Sequence, residues 1–306
     1  MAAFFTFTLK SSYDDLDISV LAVEPETRPL AVLQLAHGMR GHKERFIPFM
    51  EYMASRGVIC VANDHRGHGA SVHSREDMGY MYEGGWRALV DDMKTVSDWA
   101  MEKYAGLPLY LLGHSMGALA AHVYAYDYGS ALSGLILCGN PSRDRMSGAA
   151  YALTDLLCRL HLDRMRLSFL QEITSRRYNR RFAAEGRHAW TCSDPAVRRS
   201  FAEDPLCSFA LTANGCRCLL GLMREAYAPH DSVSSADLTV LFLSGSADPC
   251  MISEQKFHRS AMQMHKTGFR DVSSVIYPGM RHEILNEIGK EKVWQEIVDM
   301  VSTPLP

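Results

Sequence analysis

Apolar residues along this chain follow two alternating rhythms. Near the start, FTFTL (Phe5 to Leu9) and DISVLAV (Asp17 to Val23) alternate apolar and polar positions, and SSYDDL between them supplies turn residues, so the pair reads as a β-hairpin. LAVLQLA (Leu30 to Ala36) is instead continuously apolar, as a strand buried on both faces requires, and it stops at His37-Gly38. Phe46, Phe49, Met50 and Met53 then recur at helical spacing up to Gly57, and VICVA is a second buried strand. Leu89, Met93, Val96, Trp99 and Ala100 mark one side of a helix from about Trp86 to Tyr104. The strand LYLLG, the small-residue helix MGALAAHVYAYDYG and the strand GLILCGN (Gly134 to Asn140) continue the alternation. Such alternation predicts an α/β fold with a mostly parallel central sheet covered by helices on both faces.

Between about Pro141 and Ala236 the rhythm changes. YALTDLLCRLHL and NGCRCLLGLMREAY read as helices, and no run reads as a buried strand. Strand patterns resume with LTVLFLSG (Leu238 to Gly245), followed by a helix near Glu254 to His265 and the strand DVSSVIY (Asp271 to Tyr277). A last helix places Val293, Trp294, Ile297, Val298 and Val301 on one side. The expected organisation is a core of residues 1–140 plus 238–306 with a helical insertion at 141–237.

Composition narrows the function classes. A chain of 306 residues with 47% hydrophobic and 22% charged residues suits one α/β core with an insertion. The net charge of −3 offers no general attraction to phosphate backbones, so nucleic acid is not an expected partner. The basic run Arg176, Arg177, Tyr178, Asn179, Arg180, Arg181 is read as a solvated helix face. Eight cysteines lie scattered without a Cys-x-x-Cys pair and are expected to be reduced, mostly buried thiols. MAAFFTFTLK lacks the basic start and apolar length of a signal peptide, and the longest apolar tract, Leu107 to Tyr128, is broken by Pro108, His114, Ser115, His122 and Asp127. A cytoplasmic protein without a transmembrane segment is expected.

The strongest chemical signal is Gly113-His114-Ser115-Met116-Gly117, set between a strand and an apolar helix. A bare G-x-S-x-G also arises as a structural turn. Its strand–turn–helix context is what a nucleophile elbow requires, because the tight turn needs small flanking residues and leaves Ser115 at a helix N-terminus, where developing negative charge is stabilised. A serine hydroxyl needs a base and the base needs an orienting group. Asp248 follows the strand LTVLFL and His282 follows SSVIY, which matches the chain order serine, acid, histidine. Asp231 and Asp271 lie before strands, at the wrong end of the sheet. His114 is expected to pack behind the turn. The oxyanion donors are expected from the backbone N–H groups of Met116 and of Met39, the latter in AHGMRGH where His37-Gly38 permits a sharp turn. His65, His68 and His73 lie among glycines without helical spacing, so no metal site is expected, and the chemistry calls for no cofactor.

The ordered set LAHGMRGHKERF, NDHRGHGAS, GHSMG, SGSADP and YPGMRHEILNE spans nearly the whole chain and resembles the α/β-hydrolase branch of monoacylglycerol lipases and bacterial lysophospholipases. By that resemblance Ser115, Asp248 and His282 match the catalytic triad, Met39 and Met116 the oxyanion hole, and Asp64 to Gly69 a structural loop whose Asp64 and Arg66 make internal hydrogen bonds. The resemblance also implies that 141–237 is a cap, and that the substrate is a small acyl ester or a monoacyl lipid, with transient contact to lipid surfaces through the cap. Within the cap, Leu156, Leu157, Phe209, Leu219, Leu220 and Met223 either line an acyl pocket or pack on the core. Cys250, after Asp248-Pro249, departs from the small residue common in relatives and is read as a packing variation. Amide or peptide cleavage with the same triad, and a non-catalytic binding protein on the same fold, stay open as alternatives.

Overall fold

In the computed structural model, residues 2–144 and 146–302 are described. Eight strands form one sheet: β1 (Ala3–Lys10), β2 (Asp17–Glu24), β3 (Ala31–Ala36), β4 (Val58–Asn63), β5 (Leu109–His114), β6 (Gly134–Cys138), β7 (Thr239–Gly245) and β8 (Val272–Tyr277). Their order is β1-β2-β4-β3-β5-β6-β7-β8. β2 runs antiparallel to both its neighbours, and every pair from β4 to β8 is parallel. The entrance hairpin and the parallel core are those the apolar rhythm predicts.

The continuous apolar runs serve two cores at once, because successive side chains on a strand point to opposite faces. Leu109 and Leu111 of β5, Leu135 and Leu137 of β6, and Val240 and Phe242 of β7 join one core. Tyr110, Leu112, Ile136, Cys138, Leu241 and Leu243 join the other. The first face is covered by α2 (Gly85–Lys103), α3 (Met116–Tyr128) and α8 (Glu254–Thr267). The second is covered by α1 (Ile47–Ala54) and α9 (Glu291–Ser302), whose Phe49, Met53, Trp294 and Ile297 are buried there.

Between β6 and β7 lie α4 (Ser147–Arg159), α5 (Ser168–Asn179), α6 (Pro195–Glu203) and α7 (Ala213–Ala226). Among the described residues this stretch contributes no strand to the sheet. α7 packs against α2, α3 and α4, and its Cys218, Leu222 and Ala226 belong to the first core. The helical stretch is thus tied to the core helices by its last element.

The loop 64–69 is knit by buried charge. Asp64 accepts from the backbone N–H and the ammonium of Lys43 and from the Ala70 N–H, while Arg66 donates to Asp92, Asp14 and Ser11. Both residues make the internal bonds expected of them, and burial of Arg66 is tolerable only because its donors are met.

At the end of β7 a side chain on Gly245 would stand 2.1 Å from the Met280 carbonyl oxygen and 2.5 Å from that of Arg281. Overpacking of this kind costs about 1–3 kcal/mol. Gly245→Ala is expected to lower the unfolding free energy by about 2 kcal/mol or more in urea titrations; a variant as stable as the parent would show that the 280–282 loop moves freely away.

Candidate active site

Ser115 sits between the last residue of β5 and the first of α3, with φ 56° and ψ −115°. That positive-φ conformation lies outside the regions open to most L-residues, is costly for a serine and is held by its surroundings. A Cβ on Gly113 would stand 2.2 Å from the Gly117 carbonyl oxygen, and one on Gly117 would stand 2.1 Å from that of Ala36. Only glycine at both positions lets the strand, the turn and the helix come so close. The Ser115 N–H donates to the Cys138 carbonyl at 3.0 Å, which ties the turn to β6.

Asp248 and His282 reach this point from two other strand ends. The Asp248 carboxylate accepts from the Cys250 N–H at 2.8 Å and from the Ser244 hydroxyl at 3.3 Å. His282 Nδ1 lies 2.9 Å from Asp248 Oδ2, and His282 Nε2 lies 2.8 Å from Ser115 Oγ. An ionised carboxylate only accepts, so Nδ1 carries the proton, and Nε2 of the neutral ring accepts from the serine hydroxyl. The three residues therefore form one hydrogen-bonded chain. Asp248 and His282 are 3% and 4% exposed, which keeps water away from the carboxylate–imidazole bond. Burial alone would push the His282 ring down, but the Asp248 carboxylate beside it outweighs this and holds it above its ordinary value.

His114 is not wholly packed behind the turn, since it lines the same cavity as Ser115; its Nε2 is 3.1 Å from the His282 carbonyl oxygen, and burial pushes its ring down to about 4. Met116 occupies the first position of α3, where helix N–H groups have no intrahelical acceptor. Gly38 backs onto the serine: a Cβ there would be 3.0 Å from Ser115 Cβ. Met39, Ser115 and His282 line a cavity of about 390 Å³. Of the six apolar candidates in 141–237, Leu219, Leu220 and Met223 line this cavity, Leu219 and Met223 also touching the first core, while Phe209 packs on that core, Leu157 is half-buried away from the cavity and Leu156 is 52% exposed. Arg176 keeps to the solvated face and pairs with Glu172, but Arg177 and Tyr178 of the basic run also line the cavity.

Of three neighbours of His282, Trp190 and Glu283 escaped the sequence, and Cys250 reads there only as a packing variation. Cys250 Sγ lies 4.0 Å from His282 Nε2; burial raises its thiol. The Trp190 ring stands 5.2 Å from the imidazole. Glu283 is bound through both carboxylate oxygens by the Arg45 guanidinium at 3.2 and 2.6 Å. Only the position of Cys250 two residues after Asp248 could have signalled a role; the other pairings join distant segments.

The sequence model of a family described as serine aminopeptidase, S33, matches residues 27–289. A monoacylglycerol lipase of Mycolicibacterium smegmatis is 25% identical over 284 residues, 92% of this chain and 91% of its own. The human monoglyceride lipase is 30% identical over 114 residues, covering 37% of this chain and 36% of its own. A thermostable carboxyl esterase from Bacillus coagulans, solved with glycerol, superposes with a TM-score of 0.87 at 23% identity, over 98% of both chains. A soluble variant of monoglyceride lipase from Saccharomyces cerevisiae, solved with a substrate analog, gives 0.77 at 18% identity, covering 98% of this chain and 96% of the other.

Burial pushes the Glu283 carboxyl up, yet Arg45 outweighs it and holds the group down at about 2. A depressed folded-state value means that Glu283 stabilises the fold above its ordinary 4.5 and loses that contribution as pH falls toward about 2. Arg45→Met strands the carboxylate and is expected to cost about 3 kcal/mol near neutral pH. The gap from the parent should begin to narrow above 4.5, because burial without Arg45 raises the stranded group and makes it take a proton early, and should keep narrowing toward about 2; denaturant melts across that range read it directly. A gap independent of pH would contradict the pairing.

Proposed function

The chain belongs to the serine aminopeptidase S33 family of α/β-hydrolases and is a serine hydrolase of carboxylic esters, and from that premise we propose that it cleaves esters carrying a single acyl chain through an acyl-enzyme on Ser115. The observation that carries this reading is the hydrogen-bonded chain Ser115–His282–Asp248 at the wall of a largely apolar cavity. Ser115 Oγ attacks the ester carbonyl carbon as its proton passes to His282 Nε2, and Asp248 steadies the imidazolium that forms. The N–H groups of Met39 and Met116 receive the oxyanion. The alcohol departs with the proton from His282, and water, deprotonated by the same ring, then releases the acid and frees Ser115.

Residues 141–237 act as the cap, and the acyl chain lies along Leu219, Leu220 and Met223 of α7. A cavity of about 390 Å³ is at the small end of the range for ligand pockets, which suits one chain rather than two. The chain acts in the cytoplasm on this reading, needs no cofactor or metal for the reaction, and meets lipid surfaces transiently through the cap. Exposed Leu153 and Leu156 of α4, Leu160 just past its end, and Phe169 and Ile173 of α5 support that contact, since large apolar side chains left in water mark an interaction surface when they are contiguous.

The family description names an aminopeptidase, so amide cleavage is the second reading. An aminopeptidase must hold a substrate ammonium. The only carboxylates lining the cavity among the described residues are Asp144 and Glu283, and Arg177 and Arg45 already pair with them. That favours the ester.

A fluorophosphonate probe is expected to label the folded protein once and to leave Ser115→Ala unlabelled. Turnover of monoacylglycerols and p-nitrophenyl esters should exceed that of amino-acid arylamides; the reverse order would assign the site to amide cleavage, and equal labelling of Ser115→Ala would remove the acyl-enzyme. For the cap, replacing Leu156, Leu160 and Phe169 together by serine is expected to abolish sedimentation with phosphatidylcholine vesicles while leaving hydrolysis of a water-soluble short-chain ester unchanged. Undiminished vesicle binding would refute the lipid contact.

A further inference from the structure

A second cluster of reactive side chains lies at the joint between the loop after β3 and the end of α6. His42 is 6% exposed, with Nδ1 2.7 Å from Glu44 Oε2 and Nε2 2.7 Å from Asp204 Oδ2. The turn that follows α6, closed by the Cys207 N–H on the Asp204 carbonyl at 3.0 Å, brings the buried Cys207 thiol to the same point. The ring nitrogen of His42, a carboxylate oxygen of Asp204 and Cys207 Sγ all lie within 4.8 Å of one another. Asp204 Oδ1 is engaged by the Leu206 N–H, which leaves Oδ2 facing the histidine. Two guanidiniums stand nearby, but Arg45 is paired with Glu283 and Arg40 donates to the Cys207 carbonyl at 2.8 Å, so neither enters the donor set.

We propose that His42 Nε2, Asp204 Oδ2 and Cys207 Sγ form a three-ligand site for a zinc-class divalent cation, with Glu44 orienting the imidazole from behind. A histidine that binds metal through one nitrogen is usually held at the other by a carboxylate, which is the relation of Glu44 to Nδ1. Mixed nitrogen, oxygen and sulfur donors select a borderline ion such as zinc over calcium or magnesium. Donor atoms around tetrahedral zinc stand about 3–4 Å apart, so the site forms by a slight opening of the His42–Asp204 contact. The ion takes the place of the proton shared by His42 and Asp204, and the Cys207 thiol gives up its own; both protons pass to solvent. A neutral imidazole, a carboxylate and a thiolate together balance the charge of the ion, and water completes the coordination.

Such a site would join the loop carrying Met39 to the end of α6. Arg40 and His42 also line the active-site cavity, so the ion would clamp one rim of it. The inference does not depend on which ester the cavity takes.

Titration of the full chain with cobalt(II) chloride tests the site. One cobalt per chain is expected, with near-ultraviolet thiolate-to-metal absorption that zinc chloride abolishes. Cys207→Ser should remove that absorption. Cys250→Ser should retain it, and this control is needed because Asp248, Cys250 and His282 are the other described group whose donors lie close enough to hold an ion. Glu44→Gln should weaken cobalt binding about 10–100-fold. If circular dichroism finds Cys207→Ser unfolded, Asp204→Asn takes its place and should weaken binding at least about tenfold. Absent absorption, absorption that survives Cys207→Ser, loss in Cys250→Ser, or undiminished binding by a folded Asp204→Asn would each overturn the proposal.

Discussion

The site rests on backbone segments that approach one another more closely than any side chain permits. Gly117 lets the start of α3 meet the end of β3, with the space for a Cβ filled by the Ala36 carbonyl. Gly245 does the same for the end of β7 and the 280–282 loop, and Gly139 lies under His282, where a Cβ would be 3.0 Å from its carbonyl and 3.2 Å from its Nδ1. Ser115, Asp248 and His282 thereby converge from the ends of three strands. Their hydrogen bonds follow from that convergence; short side-chain bonds could not by themselves draw strands together against packed cores. The positive φ of Ser115 is the local cost of the same arrangement.

Around this frame the charges are matched in pairs. Glu283 beside His282 is bound by Arg45 and Asp144 at the cavity by Arg177, while Asp248 accepts a hydrogen bond from the imidazole itself. A lone carboxylate near His282 would compete for its proton, and an unpaired one in the cavity would draw cations and water. Pairing leaves Asp248 as the carboxylate that acts on the ring. His114, which touches the same backbone, is kept neutral by burial and adds no opposing charge.

The amino-acid pattern makes the frame legible for a physical reason. Strands buried on both faces leave continuous apolar runs, and the elbow leaves two glycines that sterics forbid replacing, so β3 to β7 and Ser115 are readable locally. α5 and α6 are not, because α5 buries no residue fully and α6 buries only Phe201, which leaves little periodicity to detect. The pairing of Arg45 with Glu283 spans 238 residues and has no local signature. Cys250 reads as a packing variation and does pack, yet the turn Pro249–Met251 brings its sulfur to His282. The basic run misleads for a related reason: charge composition suggests a solvated face, while helix geometry turns Arg177 and Tyr178 toward the cavity.

α7 explains why sequence periodicity could not separate pocket from core in this part of the chain. Cys218, Leu222 and Ala226 recur every four residues and face α2 and α3. Leu219, Met223 and Leu220 lie progressively farther around the helix, at about 60°, 100° and 160° from the middle of that face, and line the cavity, while Leu219 and Met223 also touch the first core. An amphipathic pattern marks one buried side, but this helix has two, one against protein and one against the space a ligand would fill. Its pocket-facing residues are therefore held by the same packing that completes the first core. Enlarging that side would change the cavity, whereas trimming the other would loosen α7 from α3, so one wall of the cavity is set from within the core while α4, α5 and the segments around Met39 and Trp190 supply the rest.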